Sequence, residues 1–131
     1  MKTRTFMKRL ILILVLLMTC ASASWAQPAK TPQGEIVIKY FTYLKNGKYD
    51  EAAQLVAVKN QKGFVELMRD YWGEEAKKRG GVTSIKIDKV EHSEGSKSAK
   101  VYYTLTFKNG TKDSDVIKML KTQGEWMISP V

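Results

Sequence analysis

The chain has 131 residues, with 22 basic and 13 acidic side chains and a formal net charge of +9. All four basic residues of positions 1–26 lie in the first nine positions, and without residues 1–26 the net charge falls to +5. The remaining basic residues are scattered along the chain, which argues against a nucleic-acid-binding domain. The single cysteine, Cys20, also lies in positions 1–26. Residues 27–131 therefore contain no disulfide, no thiolate nucleophile and no thiolate metal site.

The first 26 residues have the order typical of a secretory signal peptide. A basic head, Lys2–Arg9, precedes the apolar run Leu10–Met18, and mostly small residues follow up to Ala26. Small side chains at Ser24 and Ala26 suit a signal peptidase, so we expect cleavage between Ala26 and Gln27. This interpretation predicts a protein exported to the periplasm or secreted.

Two other interpretations of this segment stay open. Leu17-Met18-Thr19-Cys20 resembles the bacterial lipobox, in which the cysteine is lipidated and tethers the protein to the membrane. Thr19 departs from that pattern, because Gly, Ala or Ser usually precedes the cysteine. As a membrane anchor, the uncharged run Leu10–Ala26 is at the short end of the roughly 17–25 residues that span a bilayer, and only its first half is strongly apolar. We therefore predict that the signal peptide is cleaved and the protein is released. In the lipoprotein alternative, Cys20 is the candidate lipidation site.

A polar tether, residues 27–31, leads into a predicted helical half. Thr31-Pro32 predicts a capped helix start, and Asn46-Gly47 predicts the helix end. Between them, one apolar stripe has helical spacing: Ile36, Val37, Tyr40, Phe41 and Leu44. Asp50 is expected to cap a second, shorter helix that carries Ala52, Ala53, Leu55 and Val56. We expect Lys59–Gly63 to be a polar link.

The third predicted helix has the clearest periodicity in the chain. Its apolar residues form one continuous face: Phe64, Leu67, Met68, Tyr71, Trp72 and Ala76. Near its end, Glu75 and Arg79 are spaced for an i,i+4 ion pair. Gly80-Gly81 then ends the helix.

After the two glycines the apolar period changes from 3.6 to 2, which predicts strands. The first strand is Val82–His92, with a bulge or bend expected near Val90. The second strand alternates between an apolar face, Ala99, Val101, Tyr103, Leu105 and Phe107, and a polar one, Lys100, Tyr102, Thr104, Thr106 and Lys108. Turns at Asn109-Gly110 and Gln123-Gly124 separate it from a third strand, Thr111–Lys121, and a fourth, Glu125–Ser129.

Three helices followed by a four-stranded antiparallel meander predict an α+β domain with its helices on one sheet face. Pro32–Val56, PQGEIVIKYFTYLKNGKYDEAAQLV, resembles the opening of small exported bacterial domains of unknown function in the nuclear transport factor 2-like, or cystatin-like, superfamily. Their "xxGxYxxA" turn is matched by Lys45–Ala52, and their closing "GxW" strand by Gly124-Glu125-Trp126.

The resemblance covers residues 32–131 as one domain and implies a curved four-stranded sheet around a helix, enclosing a conical cavity. The resemblance does not assign a catalytic role to any residue of this chain. Six aromatic residues are candidates to line the cavity and bind a small apolar ligand: Tyr40, Tyr43, Tyr71, Trp72, Tyr103 and Trp126. Aromatic residues at such spacing are more often ordinary core residues, so both interpretations stay open.

Few residues are suited to catalysis. Asp113 and Asp115 are two apart and would share one strand face. The resemblance implies an alternative function here, because ketosteroid isomerases of the superfamily use an Asp that faces an apolar cavity beside tyrosines. In this chain, however, Asp113 and Asp115 directly follow a hairpin turn and lie near Lys112 and Lys118, which favours exposed side chains. His92 is the only histidine, so a His-based metal cluster is excluded, and we expect no cofactor.

The sequence therefore predicts an exported, non-enzymatic domain that binds a small apolar ligand or a partner protein of the cell envelope. The alternative is an isomerase or dehydratase acting on a small hydrophobic substrate, and it requires a buried carboxyl with a raised pKa. A third prediction is a homodimer formed through the outer sheet face, at Tyr102, Thr104 and Thr106.

Overall fold

Three helices precede four strands in the computed structural model, which describes residues 28–130. The predicted cleavage site and Cys20 lie outside these residues. The helices are α1 (Pro32–Lys45), α2 (Tyr49–Ala53) and α3 (Gln61–Lys78), and the strands are β1 (Val82–His92), β2 (Ser98–Phe107), β3 (Lys112–Thr122) and β4 (Glu125–Ile128). The strands form one antiparallel sheet in the order β1-β2-β3-β4, which confirms the predicted α+β class. Within residues 28–130, no helix has the length and apolar character needed to cross a membrane.

Helix α1 begins as its first residues predict. The Thr31 hydroxyl accepts a hydrogen bond from the Gly34 N–H at 3.0 Å, and Pro32 occupies the first turn, where its missing N–H costs nothing. Val37, Phe41 and Leu44 are at most 4% exposed, so this row of α1 is the centre of the hydrophobic core.

The sheet packs against α1 through one face, which we call the inner face. Its most buried residues include Val101 and Met119, which are fully buried. The other side, which we call the outer face, has no helix of residues 28–130 packed on it. The predicted irregularity near Val90 is a shift of register between Ile87 and Lys89, so Asp88 is the bulged residue.

The second helix is shorter than expected. It starts at Tyr49 with Lys48 at the cap position, so Asp50 lies inside the first turn and does not cap it. Leu55 and Val56 follow the helix, because backbone bonds hold this segment against β4. The Leu55 carbonyl accepts from the Ile128 N–H at 2.8 Å, and Val56 forms a parallel bridge with Ile128.

Helix α3 begins earlier than expected and buries a narrower face. Asn60 caps it by accepting from the Gly63 N–H at 2.9 Å, so most of the expected polar link belongs to the first turn. Leu67 and Tyr71 are 60% and 64% exposed. Only part of the apolar face of α3 packs on the core. The residues in this row are Phe64, Met68, Trp72 and Ala76.

Candidate functional site

An aromatic cluster centred on Phe41 occupies the space between α1 and the inner face. The Phe41 ring centroid lies 4.7 Å from that of Tyr103, 5.2 Å from Tyr40 and 5.8 Å from Trp72. These residues come from α1, α3 and β2, so the cluster joins both helices to the sheet. Phe41 is 4% exposed and Tyr40 is 8% exposed. Packed side chains of the protein itself therefore fill this part of the interior.

The two innermost phenols have little hydrogen bonding. The Tyr40 hydroxyl donates only to the Met68 sulfur, at 3.6 Å, and thioether sulfur is a weak acceptor. Burial, with a smaller effect of Tyr103, raises the pKa of Tyr40 to about 12. Burial, with smaller effects of Asp115 and Asp113, raises the pKa of Tyr103 to about 12. Both phenols are neutral at physiological pH, because burial disfavours their charged forms.

The six candidate aromatics do not form one continuous lining. Tyr40, Trp72 and Tyr103 meet at Phe41, a residue that the sequence places in the core stripe but not in the site. Tyr71 is largely exposed on α3.

Tyr43 and Trp126 lie elsewhere. Tyr43 is half-buried, with the Lys39 ammonium 5.8 Å from its ring centroid. Trp126 contacts His92 edge to face at 6.5 Å between ring centroids. It pairs with Lys121 of β3, whereas Tyr103 pairs with Asp115. These two β3 positions are six residues apart, which is about 20 Å along the strand.

Arg79 fastens the end of α3 to the β2–β3 hairpin. Its guanidinium donates to both carboxylate oxygens of Asp113, at 2.6 and 2.9 Å, and its Nε donates to the Thr111 hydroxyl at 2.9 Å. The guanidinium carbon also lies 3.8 Å from the Phe107 ring centroid. The predicted Glu75–Arg79 pair is wrong, because the bidentate carboxylate offers Arg79 two charge-assisted hydrogen bonds.

The two aspartates of β3 share a face, as predicted, but neither is a buried acid. The Asp113 side chain is 54% exposed, and its hydrogen bonds to Arg79 hold the pKa of the carboxyl below its usual range. Asp115 is exposed and accepts a hydrogen bond from the neighbouring Val116 N–H at 2.7 Å. The isomerase alternative requires a desolvated carboxyl, and both of these aspartates are exposed.

Metal binding is also without support in the part of the chain that the structure describes. No three His, Cys, Asp or Glu residues of positions 28–130 are grouped as metal ligands. His92 is exposed and its ring contacts Trp126.

The outer face carries a group of exposed and half-buried apolar side chains, which we call the outer patch: Tyr102, Val116, Leu120 and Met127. Tyr102 and Val116 are directly paired across β2 and β3, and Leu120 is paired with Met127 across β3 and β4. Val116 is 37% exposed and Leu120 is 44% exposed. Apolar residues at these positions of a sheet face are typical of contact surfaces.

Two lysines separate the halves of the outer patch, and we call them the lysine pair. Lys100 and Lys118 occupy directly opposed positions of β2 and β3, between Tyr102–Val116 on one side and Leu120 on the other. Like charges at directly opposed positions destabilise a sheet, and Glu91, which faces Lys100 from β1, offsets this repulsion only in part, so the arrangement has a stability cost in the isolated domain.

Two other lysines of the outer face, both on β1, are paired with carboxylates. Lys86 lies 3.7 Å from an Asp88 oxygen, and Lys89 lies 2.7 Å from a Glu91 oxygen. Hydrogen bonding by Lys89, with smaller effects of the Tyr102 hydroxyl and of the Lys100 ammonium, holds the pKa of Glu91 below its usual range. The described residues contain no ion pair to Lys100 or Lys118 within 4.0 Å.

A shallow groove of about 470 Å³ opens beside the Tyr102–Val116 pair. The bulge at Asp88 lies along it, where the Thr104 hydroxyl donates to the Asp88 carboxylate at 2.6 Å. Its lining residues are Asp88, Lys89, Tyr102, Tyr103, Ser114, Asp115 and Val116. The groove therefore combines an apolar floor with charged groups at its rim.

The three residues predicted to form a dimer contact, Tyr102, Thr104 and Thr106, lie on the outer face by register. Val116, Lys118 and Leu120 were not among the sequence candidates. One sequence signal points to them: β3 has apolar residues at adjacent positions, including Val116-Ile117 and Met119-Leu120. Since adjacent residues of a strand face opposite sides, such a strand must expose apolar groups unless both its faces are covered.

No protein-family model matches this sequence, and no curated protein sequence matches it. The structure is similar to the crystal structure of an NTF2-like transpeptidase from Campylobacter jejuni, with a TM-score of 0.64 and 18% sequence identity. The similarity covers 77% of this chain and 100% of that chain. At this identity the likeness concerns the fold, and it agrees with the nuclear transport factor 2-like architecture that the sequence implies.

The intermembrane space region of the chloroplast protein ARC6 is similar at a lower level. The TM-score is 0.42 and the identity is 16%, over 72% of this chain and 88% of that region.

Proposed function

We propose that this chain is an exported, non-enzymatic docking domain that binds a partner protein of the cell envelope through its outer face. The observation that carries the proposal is the outer patch, since Val116 and Leu120 stand 37% and 44% exposed on a sheet face that no helix of residues 28–130 covers. An ordered β-sheet presents such side chains at fixed positions, which lowers the entropy cost of binding.

The interior supports this choice over a small apolar ligand. The rings of Tyr40 and Trp72 both contact Phe41 where the sequence expects a cavity lining. The enzyme alternative has less support still, because Asp113 is held ionised by Arg79.

Charge supports a different protein over a second copy of this chain. A two-fold dimer places the same patch on both subunits, so the lysine pair, Lys100 and Lys118, would approach its own equivalent. Like-charge contact across an interface is costly. A partner with acidic groups removes this cost.

Export is the part of the proposal that rests on residues 1–26. Their basic, apolar and small-residue order supports a cleaved signal. The domain that remains has no cysteine and needs no disulfide outside the cytoplasm.

Site-specific photo-crosslinking in cells of the source organism tests the docking face. A photoreactive phenylalanine analogue replaces Val116 in one variant and Glu51, an exposed residue of α2, in a matched control. We expect one partner protein to crosslink from position 116 and none from position 51. The purified partner should then bind the native protein in calorimetry and lose binding to Val116→Asp.

Val116→Asp should fold, because the native side chain is more than one-third exposed; its urea unfolding midpoint checks this. Equal crosslinking from positions 116 and 51 would overturn the docking face. Crosslinking of position 116 only to another copy of this chain would replace the proposal with the predicted homodimer.

A further inference from the structure

The lysine pair and the groove beside it define the chemistry of the partner. We propose that the outer face binds an extended segment in which an aromatic or large apolar side chain and a carboxylate side chain are two residues apart. This inference rests on the proposed function and adds to it the kind of partner segment that the face selects.

The carboxylate is inferred from the positive charge of the lysine pair, which one carboxylate, that of Glu91 opposite Lys100 on β1, offsets only in part. Side chains at directly opposed positions of an antiparallel pair start from Cβ atoms about 4.5–5.5 Å apart, so the Lys100 and Lys118 ammonium groups can both reach one anion. Among the described residues no ion pair reaches either ammonium within 4.0 Å, and the Glu91 carboxylate opposite Lys100 is already bound by Lys89 at 2.7 Å. A carboxylate bound between them would accept from both and remove their mutual repulsion.

The apolar side chain is inferred from the groove. Tyr102 is held in place, because it is half-buried and its ring lies 5.7 Å from the Lys89 ammonium. A fixed tyrosine next to exposed Val116 provides a rigid apolar surface at low entropy cost. The groove of about 470 Å³ has room for one large side chain.

The spacing follows from the strands. Tyr102 and Lys100 are two residues apart on β2, and Val116 and Lys118 are two apart on β3. Two residues of extended chain span about 6.6–6.8 Å, both in these strands and in a bound segment lying along them. An apolar side chain over Tyr102–Val116 therefore places a carboxylate two residues away over the lysine pair.

Fluorescence anisotropy with two peptides tests the inference on the protein purified after export. Both peptides carry fluorescein and Gly-Ser flanks; one has the core Trp-Ser-Glu and the other has Trp-Ser-Gln. We expect the Glu peptide to bind more tightly, and its affinity to fall as salt is added. Lys100→Gln with Lys118→Gln should weaken the Glu peptide roughly threefold to tenfold, as expected for two exposed ion pairs.

Lys112→Gln is the matched control, because this lysine lies on the same face but opposite Thr106, away from the pair. It should leave the affinity and the unfolding midpoint unchanged, whereas Lys100→Gln with Lys118→Gln should unfold at the native midpoint or above it, because the repulsion between the two lysines is removed. Equal binding of the two peptides, or equal weakening by Lys112→Gln, would overturn the inference.

The two proposals fail in different ways. If position 116 crosslinks a partner but the Glu and Gln peptides bind alike, the docking function stands and the carboxylate inference is wrong. If position 116 crosslinks no partner and neither peptide binds, both are wrong.

Discussion

Arg79 is the residue that determines what the inner face can do. It ends α3, stacks on Phe107 and donates to both oxygens of Asp113. A carboxylate with two charge-assisted hydrogen bonds is a poor proton acceptor, because protonation would break both bonds. Asp113, the candidate acid of the sequence, is therefore a structural residue that links the β2–β3 hairpin to α3.

Asp113→Asn should reduce stability near neutral pH and have little effect in acid. The pKa of Asp113 lies below its ordinary value of 3.8 in the folded protein, so the folded state binds fewer protons than the unfolded chain as the carboxyl titrates. Its stabilising effect is therefore present above the unfolded pKa and is lost as the pH falls through the folded one. Urea unfolding of native protein and variant at about pH 6 and about pH 3 measures the difference.

Asp115→Asn is the control for this experiment, because Asp115 is exposed and forms no ion pair within the described residues. Its effect should be small at both pH values. An Asp113→Asn effect that is the same in acid and near neutrality would show that the carboxylate charge is not what stabilises the hairpin.

At the scale of elements, local signals were sufficient for most boundaries. Thr31-Pro32 starts α1, and Asn109-Gly110 turns β2 into β3, because both depend on backbone geometry that a few residues determine. The exposed row of α3, Leu67 and Tyr71, was not predictable in this way. A helical stripe reveals which residues are apolar, but the neighbouring elements decide which of them are covered.

The candidate site depended even more on distant contacts. Arg79 and Asp113 are 34 residues apart in sequence, so their bond cannot be inferred from spacing. The lysine pair also depends on a distant contact, because Lys100 and Lys118 become neighbours only through the β2–β3 register. The hairpin at Asn109-Gly110 sets that register, which makes the pair predictable once the turn is placed.

The same substitution should have opposite effects in α1 and α3. A Cβ at Gly34 would overlap the carbonyl oxygen of Pro28, which also accepts from the Thr31 hydroxyl at 2.6 Å. At Gly73, a Cβ would meet only the Tyr49 hydroxyl, at an ordinary 3.6 Å. We expect Gly34→Ala to destabilise by about 1–3 kcal/mol and Gly73→Ala to stabilise by about 1 kcal/mol.

Urea unfolding with a common buffer compares the two alanine variants directly. Gly73→Ala is the control for Gly34→Ala, since both replace a helical glycine by the same side chain. If both variants are stabilised, the turn Pro28–Lys30 does not pack firmly on the first turn of α1.

At the scale of the whole molecule, the proposed export segment and the proposed docking domain have separate physical roles. Residues 1–26 hold the only cysteine and lower the net charge from +9 to +5 when removed. The folded part keeps a hydrophobic core that runs from α1 through the sheet to Ile128. A protein of this kind can be stable without a disulfide, and its surface charge is then set by the lysines of the domain itself.

Intact-mass analysis of the protein purified from its native envelope should give a chain that begins at Gln27. Cleavage after Ala26 removes Cys20, so Cys20→Ser should leave the mass and the soluble fraction of the product unchanged. The lipoprotein alternative predicts the opposite: a lipidated Cys20 at the N-terminus, recovery with the membrane, and release or loss of processing in Cys20→Ser. A product that retains Met1 would contradict both interpretations and would leave the docking domain held by the uncleaved apolar segment.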